Sequence, residues 1–341
     1  MSDPPTPVES EQASPPGSPG SVSVHGEIGF RATRLWAWLQ LFRLPNLLTV
    51  PGDPIAGFLL AQAAGLSATR PGIRMAMAGM VCLLLYAAGL LWNDWCDRQE
   101  DFRDRPGRPL PSGRVRAGQV SLVANALIAA AVAVAAVADT GVAGRPTLWV
   151  TVALGVVILA YDIGLKRVPL LGPLVMGACR GLSVLVGAAA FGREGLTCPP
   201  VIAASMGITL YVAAVTWLAR GETQQRTVTD QKVAITVAMV AWLMAVGAAL
   251  LAVGAVPSRW RWSMALPGVL VGAWLRGGLW TLGPRPEPQL VQRKVGGLIR
   301  GIILVQAALV LVAGWTGLWI AIVLMACFLL NRALGRVFYA S

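Results

Sequence analysis

The chain has 341 residues, of which 56% are hydrophobic and 13% are charged, and its formal net charge is +12. Soluble domains have about 45–50% apolar and about 25% charged residues, so this composition excludes an ordinary soluble protein. The five cysteines form no CxxC pair, and the single histidine is His25. We therefore expect neither a disulfide framework, nor a Cys/His zinc site, nor histidine acid–base catalysis.

Two regions are predicted, a tail and one membrane domain. Residues 1–30 are rich in Pro and Ser, and we expect a disordered tail without a cleavable signal peptide. Residues 31–341 contain apolar runs of about 20 residues, the length that crosses a bilayer as a helix. These runs lack the alternation of barrel strands, so we predict an all-α, polytopic membrane bundle of nine or ten helices. The predicted spans are 35–64, 73–93, 118–138, 147–164, 170–191, 199–219, 233–255, 263–282, 290–313 and 315–334.

The basic residues predict the orientation of this bundle. With the N-terminus inside, eighteen Lys and Arg residues lie in inner loops or ends and six in outer loops. An excess of positive charge marks the cytoplasmic side, so we expect the N-terminus and any site in the inner loops to be cytoplasmic, in a bacterial-type inner or cell membrane. Because these charges are spread over short loops instead of one face, no nucleic-acid partner is expected.

Polar residues also occur inside predicted spans. Asn46 and Asp53 lie in the first span, which three prolines interrupt, and such breaks are tolerated where the backbone lines a protein cavity. Arg180 lies among small residues in the fifth span. A charge at the bilayer centre costs about 2.5–3.5 kcal/mol, so Arg180 is expected to face the bundle interior and to mark a pathway there.

The acidic stretch NDWCDRQED, residues 93–101, follows the second predicted span. On a continuous helix Asn93, Asp97 and Asp101 share one stripe, with Asp94 three residues before Asp97. Like charges this close need a cation, and oxygen ligands suit Mg²⁺ held together with substrate phosphates. The arginines that follow are suited to phosphate oxygens, so the stretch predicts a diphosphate site. A solvated loop that only sets topology is the alternative, but carboxylates contribute little to orientation.

Two adjoining motifs carry a resemblance to a known family. The form NDxxDxxxD at residues 93–101 and the segment RPGRPLPSGRV at 105–115 resemble the UbiA superfamily of intramembrane prenyltransferases. RLPNLLTVPGDPIAG, at 43–57, is similar to that family's first span, and YDIGLKR, at 161–167, to its segment between the fourth and fifth spans. The resemblance extends over residues 35–335 and looks closest to the EboC-like branch.

The resemblance implies a Mg²⁺-dependent prenyltransferase. An isoprenoid chain would pass from an allylic polyprenyl diphosphate to a hydrophobic acceptor, aromatic or lipid-like, in a central cavity open to the cytoplasmic side and laterally to lipid. The implied metal ligands are Asn93, Asp94, Asp97 and Asp101, and Lys166 joins the three aspartates as a catalytic residue. The implied substrate-binding residues are Asn46, Asp53, Asn93, Arg105, Arg108, Tyr161, Arg167, Arg180 and Arg226.

The sequence departs from the family at its second acidic motif. Residues 216–233, TWLARGETQQRTVTDQKV, contain only Glu222 and Asp230. On a helix these two and Arg226 share a face, which would either complete the metal site or form a self-paired ion ladder. The alternative function is therefore a UbiA-like protein that binds or transports an isoprenoid or another hydrophobic metabolite without prenyl transfer. A CDP-alcohol phosphotransferase is disfavoured because its DGxxAR…GxxxDxxxD pattern is absent.

Overall fold

A computed structural model describes residues 33–220 and 288–338, together with Gly247. Every regular element in these ranges is helical, as the sequence predicts. Short 3₁₀ segments lie at Leu165–Arg167, Ala189–Phe191 and Leu311–Ala313. The α-helices, numbered in chain order within the described ranges, are α1 Arg34–Leu41, α2 Leu44–Leu47, α3 Gly52–Ala63, α4 Pro71–Cys96, α5 Arg98–Asp104, α6 Ala117–Ala138, α7 Pro146–Ile163, α8 Leu171–Ala188, α9 Arg193–Thr197, α10 Pro199–Arg220, α11 Pro288–Val310 and α12 Trp315–Phe338.

Seven described helices are long and apolar enough to cross a membrane: α4, α6, α7, α8, α10, α11 and α12. They coincide with seven of the predicted spans, which confirms a multi-pass membrane bundle. The predicted spans 290–313 and 315–334 are two separate helices, because the chain turns at Gly314 with φ of 63°. The predicted spans at 233–255 and 263–282 lie outside the described residues, so nine or ten helices stays a prediction.

The predicted first span is divided into α1, α2 and α3. Arg43 separates α1 from α2 in the left-handed region, with φ of 44°, and Pro45 lies in α2. Pro51 precedes α3, which is only 12 residues long. The prolines therefore break this segment, as expected, and turn its polar residues toward the bundle interior instead of lipid.

The largest buried apolar cluster among the described residues joins several helices, and the outer surface of the bundle is apolar. Phe58, Leu60, Ile208 and Ile303, from α3, α10 and α11, are fully buried in this cluster. Leu122 on α6 is 71% exposed, and exposed large apolar residues also occur on α7 and α12. In a membrane protein such side chains face lipid, whose tails are as apolar as leucine.

Glycines hold α8 close to its two neighbours. A side chain at Gly187 would collide with the carbonyl of Pro54 in α3, and one at Gly177 with the carbonyl of Thr209 in α10. Small residues allow this close approach of helix backbones, which stabilises association in membranes by van der Waals packing. α8 is thereby fixed between α3 and α10, and it carries Arg180 into the interior.

Replacing Gly187 with valine is expected to lower the melting temperature of the detergent-purified protein. Overpacking a close contact typically costs about 1–3 kcal/mol, and backbone atoms cannot move aside as a side-chain end can. The matched control is Gly79→Ala in α4, because a Cβ at Gly79 meets nothing within 4 Å. We expect that control to melt at or above the wild-type temperature, and equal melting of the two variants would contradict the packing of α8.

Candidate active site

The acidic stretch spans the junction of two helices. α4 ends at Cys96, α5 begins at Arg98, and Asp97 lies between them. The backbone N–H of Asp97 donates to the carbonyl of Asn93 at 3.0 Å, and that of Asp101 donates to the carbonyl of Asp97 at 2.8 Å. The helical repeat therefore continues through the junction, and Asn93, Asp97 and Asp101 lie on one stripe as their spacing predicts.

Two of the three motif aspartates pair with cations from distant segments. Arg43 Nη2 lies 2.7 Å from Asp94 Oδ1, and Lys166 Nζ lies 2.6 Å from Asp97 Oδ1. Lys166 also donates to Asn93 Oδ1 at 3.0 Å. The break after α1 and the 3₁₀ turn after α7 thus bring their cations to the end of α4.

The arginines of the following segment occupy different positions. Arg108 Nη1 lies 2.6 Å from Asp101 Oδ2, and Asp101 is only 5% exposed. Arg105 is exposed. Arg167 is also exposed and approaches Glu100 only to 3.8 Å. The three aspartates and their partners Arg43, Lys166 and Arg108 therefore form a charge-balanced group, called the acidic cluster below, with Arg105 and Arg167 at its edge.

A cavity of about 300 Å³ begins beside the acidic cluster. One wall is a face of α4, along which Cys82, Tyr86, Gly89, Leu90 and Asn93 line the cavity. From Cys82 to Asn93 this wall extends about 16 Å, taking a helical rise of 1.5 Å per residue. The cavity is therefore long enough to take an extended apolar chain.

The remaining walls come mainly from α7 and α8. Leu154, Ile158 and Met176 are apolar lining residues of the cavity. Arg43, Asn93, Tyr161 and Asp162 also line it, while Arg180 and Ser183 lie farther along α8. The cavity is thus a mainly apolar pocket with polar groups concentrated near the acidic cluster, a common arrangement for ligand sites.

Arg180 belongs to a buried polar group behind the cavity wall. Its Nε lies 2.7 Å from Asp53 Oδ2, and its Nη2 donates to the carbonyl of Thr49 at 2.5 Å. Gln306 Nε2 donates to Asp53 Oδ1 at 2.6 Å. Asp53 is fully buried and is not among the described residues that line the cavity, so it acts as the counterion of Arg180. Asn46 is half-buried near this group, where its carbonyl accepts a hydrogen bond from the Thr49 hydroxyl.

Sequence reasoning missed three residues of this region: Arg43, Asp162 and Gln306. Arg43 precedes the proline break, and a lone arginine in an apolar segment was the available signal. Asp162 follows Tyr161 in the segment YDIGLKR, but it lies near the end of the predicted span 147–164, so the sequence did not indicate an interior position. Gln306 is a polar residue within the apolar span of α11, which predicts an interior hydrogen-bond partner.

The donor atoms of the acidic cluster suit a hard cation that also binds phosphate. Within residues 33–220 and 288–338, no group of three or more His, Cys, Asp or Glu side chains is arranged to hold a metal. Mg²⁺ commonly uses only one or two carboxylates and takes its other ligands from phosphates and water. Asp94, Asp97 and Asp101 therefore fit a phosphate-bridged Mg²⁺ but not a metal cage made by protein alone. The candidate residues Glu222, Arg226 and Asp230 lie outside the described ranges.

Curated relatives match part of the chain. The digeranylgeranylglyceryl phosphate synthase of Methanosarcina mazei is 30% identical over 167 residues, which are 47% of this chain and 56% of that relative. This chain therefore spans about half the length of the curated relatives it matches.

Solved structures match over more of the chain. A UbiA homologue from Aeropyrum pernix has a TM-score of 0.54 at 20% identity, covering 77% of this chain and 97% of that one. One from Archaeoglobus fulgidus, bound to DMAPP and Mg²⁺, has a TM-score of 0.54 at 14% identity, covering 82% and 99%. At these identities the likeness shows the fold. The sequence profile of the UbiA prenyltransferase family matches residues 54–295, and the chain belongs to that family.

Proposed function

We propose that this protein is a Mg²⁺-dependent intramembrane prenyltransferase. It transfers an isoprenoid chain from an allylic polyprenyl diphosphate to a hydrophobic acceptor. The observation that carries the proposal is the acidic cluster at one end of an apolar cavity. Membership of the family and a homologue described with DMAPP and Mg²⁺ support it.

The proposed metal ligands are Asn93, Asp94, Asp97 and Asp101, with Glu222 and Asp230 from the second segment. When bound, Mg²⁺ supplies positive charge that neutralises the leaving diphosphate. Asp94 and Asp101 are 8% and 5% exposed, so the carboxylates that Mg²⁺ would meet are little hydrated. Buried carboxylates hold a charged partner more strongly than exposed ones do.

The cations of the acidic cluster are suited to bind the diphosphate itself. Arg108 has five N–H donors and Lys166 has three, so their bonds to Asp101, Asp97 and Asn93 leave donors for phosphate oxygens. Such preorganised donors stabilise the negative charge that grows on a departing diphosphate. Arg105 and Arg167, exposed at the edge, would attract the anionic substrate. Lys166 is the proposed catalytic residue among them, because it contacts both Asn93 and Asp97.

The cavity provides the environment for the isoprenoid. Leu90, Leu154, Ile158 and Met176 offer apolar contacts to the chain. By excluding bulk water, these walls protect an allylic cation from hydrolysis. The charge of Arg180 is balanced by Asp53, so this basic residue can contribute N–H donors without strongly repelling that cation.

The remaining assignments rest on the sequence. Asn46, Tyr161 and Arg226 are proposed as substrate-side polar groups, and Tyr161 lines the cavity. Residues 31–341 form the proposed membrane domain behind a tail at residues 1–30. The asymmetry of loop charge supports a cytoplasmic N-terminus and active site, with the lipid bilayer supplying the hydrophobic substrates.

Release of diphosphate tests this function. The purified full-length chain is incubated with geranyl, farnesyl or geranylgeranyl diphosphate, with Mg²⁺ or with excess EDTA, and with hydrophobic acceptors. We expect Mg²⁺-dependent diphosphate release with at least one donor, and loss of that release in EDTA. Donor binding without release for any donor and acceptor would favour the alternative, a protein that binds or transports an isoprenoid. The second acidic segment contains only Glu222 and Asp230, and this low number of carboxylates is the feature that favours the alternative.

A further inference from the structure

One carboxylate on the cavity wall has no partner among the described residues. Asp162 lies in the last turn of α7, lines the cavity and is 4% exposed. Its Oδ2 is buried without a hydrogen bond, and no described residue forms an ion pair with it within 4 Å. Asp53, Asp94 and Asp97 differ from it, because each lies within 2.7 Å of a cationic nitrogen.

An unpaired buried carboxylate is costly, and buried polar groups in proteins nearly always have a partner. Among the described residues, Lys166 and Arg43 are the cations that attract Asp162, while Asp97 and Asp94 repel it. Lys166 lies against Asp97 and Arg43 against Asp94, and neither forms an ion pair with Asp162 within 4 Å. The missing partner of Asp162 is therefore expected from the cavity that it lines.

The diphosphate of the donor does not suit this position. Its oxygens accept hydrogen bonds and carry negative charge, so they would repel a carboxylate. An isoprenoid chain has no hydrogen-bond donor. The proposed Mg²⁺ would be held by Asn93 and the three aspartates of the first motif, so the second substrate, the acceptor, is the molecule left to give Asp162 a hydrogen bond.

We propose that Asp162 binds the acceptor by accepting a hydrogen bond from an O–H or N–H group. This inference rests on the proposed function, and it narrows the acceptor to an apolar compound with a protic group. The protic group would lie beside Asn93 and Tyr161, which line the same cavity as Asp162. An apolar acceptor without such a group would leave the carboxylate buried and unpaired, and it would bind more weakly.

A matched pair of probes tests the proposal without any donor or metal. 2-Naphthol and 2-methoxynaphthalene are both apolar, but only the first has an O–H donor. Their dissociation constants are measured by fluorescence on the full-length protein in detergent and EDTA. The wild type is expected to bind 2-naphthol roughly tenfold more tightly or better, since leaving a buried acceptor without a hydrogen bond has a cost of that order.

Two variants test whether the preference for 2-naphthol comes from Asp162 or from another residue of the cavity. Asp162→Leu is expected to remove the preference for 2-naphthol. Cys179→Ala changes another cavity-lining residue and is expected to keep it. An unchanged preference in Asp162→Leu, or no binding of 2-naphthol by the wild type, would overturn the proposal.

Thermal stability gives a second readout. Because no described side chain pairs with Asp162, Asp162→Leu is expected to melt at or above the wild-type temperature. A marked fall would show that the carboxylate has a structural partner, which also overturns the proposal. The result of the binding test can be told apart from that of the diphosphate-release test. If the protein prefers 2-naphthol through Asp162 but releases no diphosphate, only the proposed prenyltransferase activity is wrong.

Discussion

Replacing Asp97 with asparagine is expected to lower Mg²⁺-dependent diphosphate release about 100-fold or more, the size of effect seen when one preorganised electrostatic group is lost. Asp97 is paired with Lys166 at 2.6 Å, so the change removes a proposed metal ligand and releases a proposed catalytic cation. Initial rates at saturating donor, with protein quantities matched after size-exclusion chromatography, measure the effect. We expect Glu222→Ala and Asp230→Ala to weaken release less than Asp97→Ala, since the first motif has more of the ligands.

Glu100→Gln is the matched control for Asp97→Asn. It removes one negative charge from the same acidic stretch, but the Glu100 side chain is 64% exposed and its nearest described cation, Arg167, is 3.8 Å away. Exposed charges at this distance interact weakly, so we expect a rate within about twofold of wild type. Equal losses in the two variants would mean that the stretch acts through its total charge, not through placed ligands.

Arg180→Met is expected to destabilise the fold by about 3–5 kcal/mol, the usual cost of removing one member of a buried ion pair. Asp53 is fully buried, and without Arg180 only Gln306 among the described side chains would still donate to it. The melting temperature in detergent should fall clearly. Arg167→Met, which removes an arginine that is 67% exposed, should leave it nearly unchanged.

The double variant Asp53→Leu with Arg180→Met identifies the cause. Apolar residues can replace a buried ion pair with little loss of stability, because both desolvation penalties disappear. We therefore expect the double variant to melt above Arg180→Met alone. A double variant that is as unstable as the sum of the two single variants would contradict pairing as the source of the effect.

The features that depend on local sequence could be predicted. Helical spans follow from apolar length, and the stripe of Asn93, Asp97 and Asp101 follows from helical period, which the junction of α4 and α5 preserves. The break of the first span follows from its prolines. Each of these depends on residues within a few turns of one another.

The features that depend on distant contacts could not be predicted. Arg43 meets Asp94 across 51 residues, and Gln306 meets Asp53 across 253. Such contacts require the packing of whole helices, including the glycine contacts of α8. The position of Asp162 could not be predicted for the same reason. Its burial and its lack of a partner among the described residues arise only when the helices assemble around the cavity.

The most direct test of the account is to locate the metal. Crystals of the full-length protein with Mn²⁺ and a non-reactive thiolo analogue of geranylgeranyl diphosphate would be measured at the manganese absorption edge. We expect an anomalous peak between the diphosphate and the carboxylates of Asp94, Asp97 or Asp101, with the isoprenoid chain along the α4 face that ends at Asn93. A diphosphate held by Arg43, Arg108 and Lys166 with no manganese beside these aspartates would contradict it.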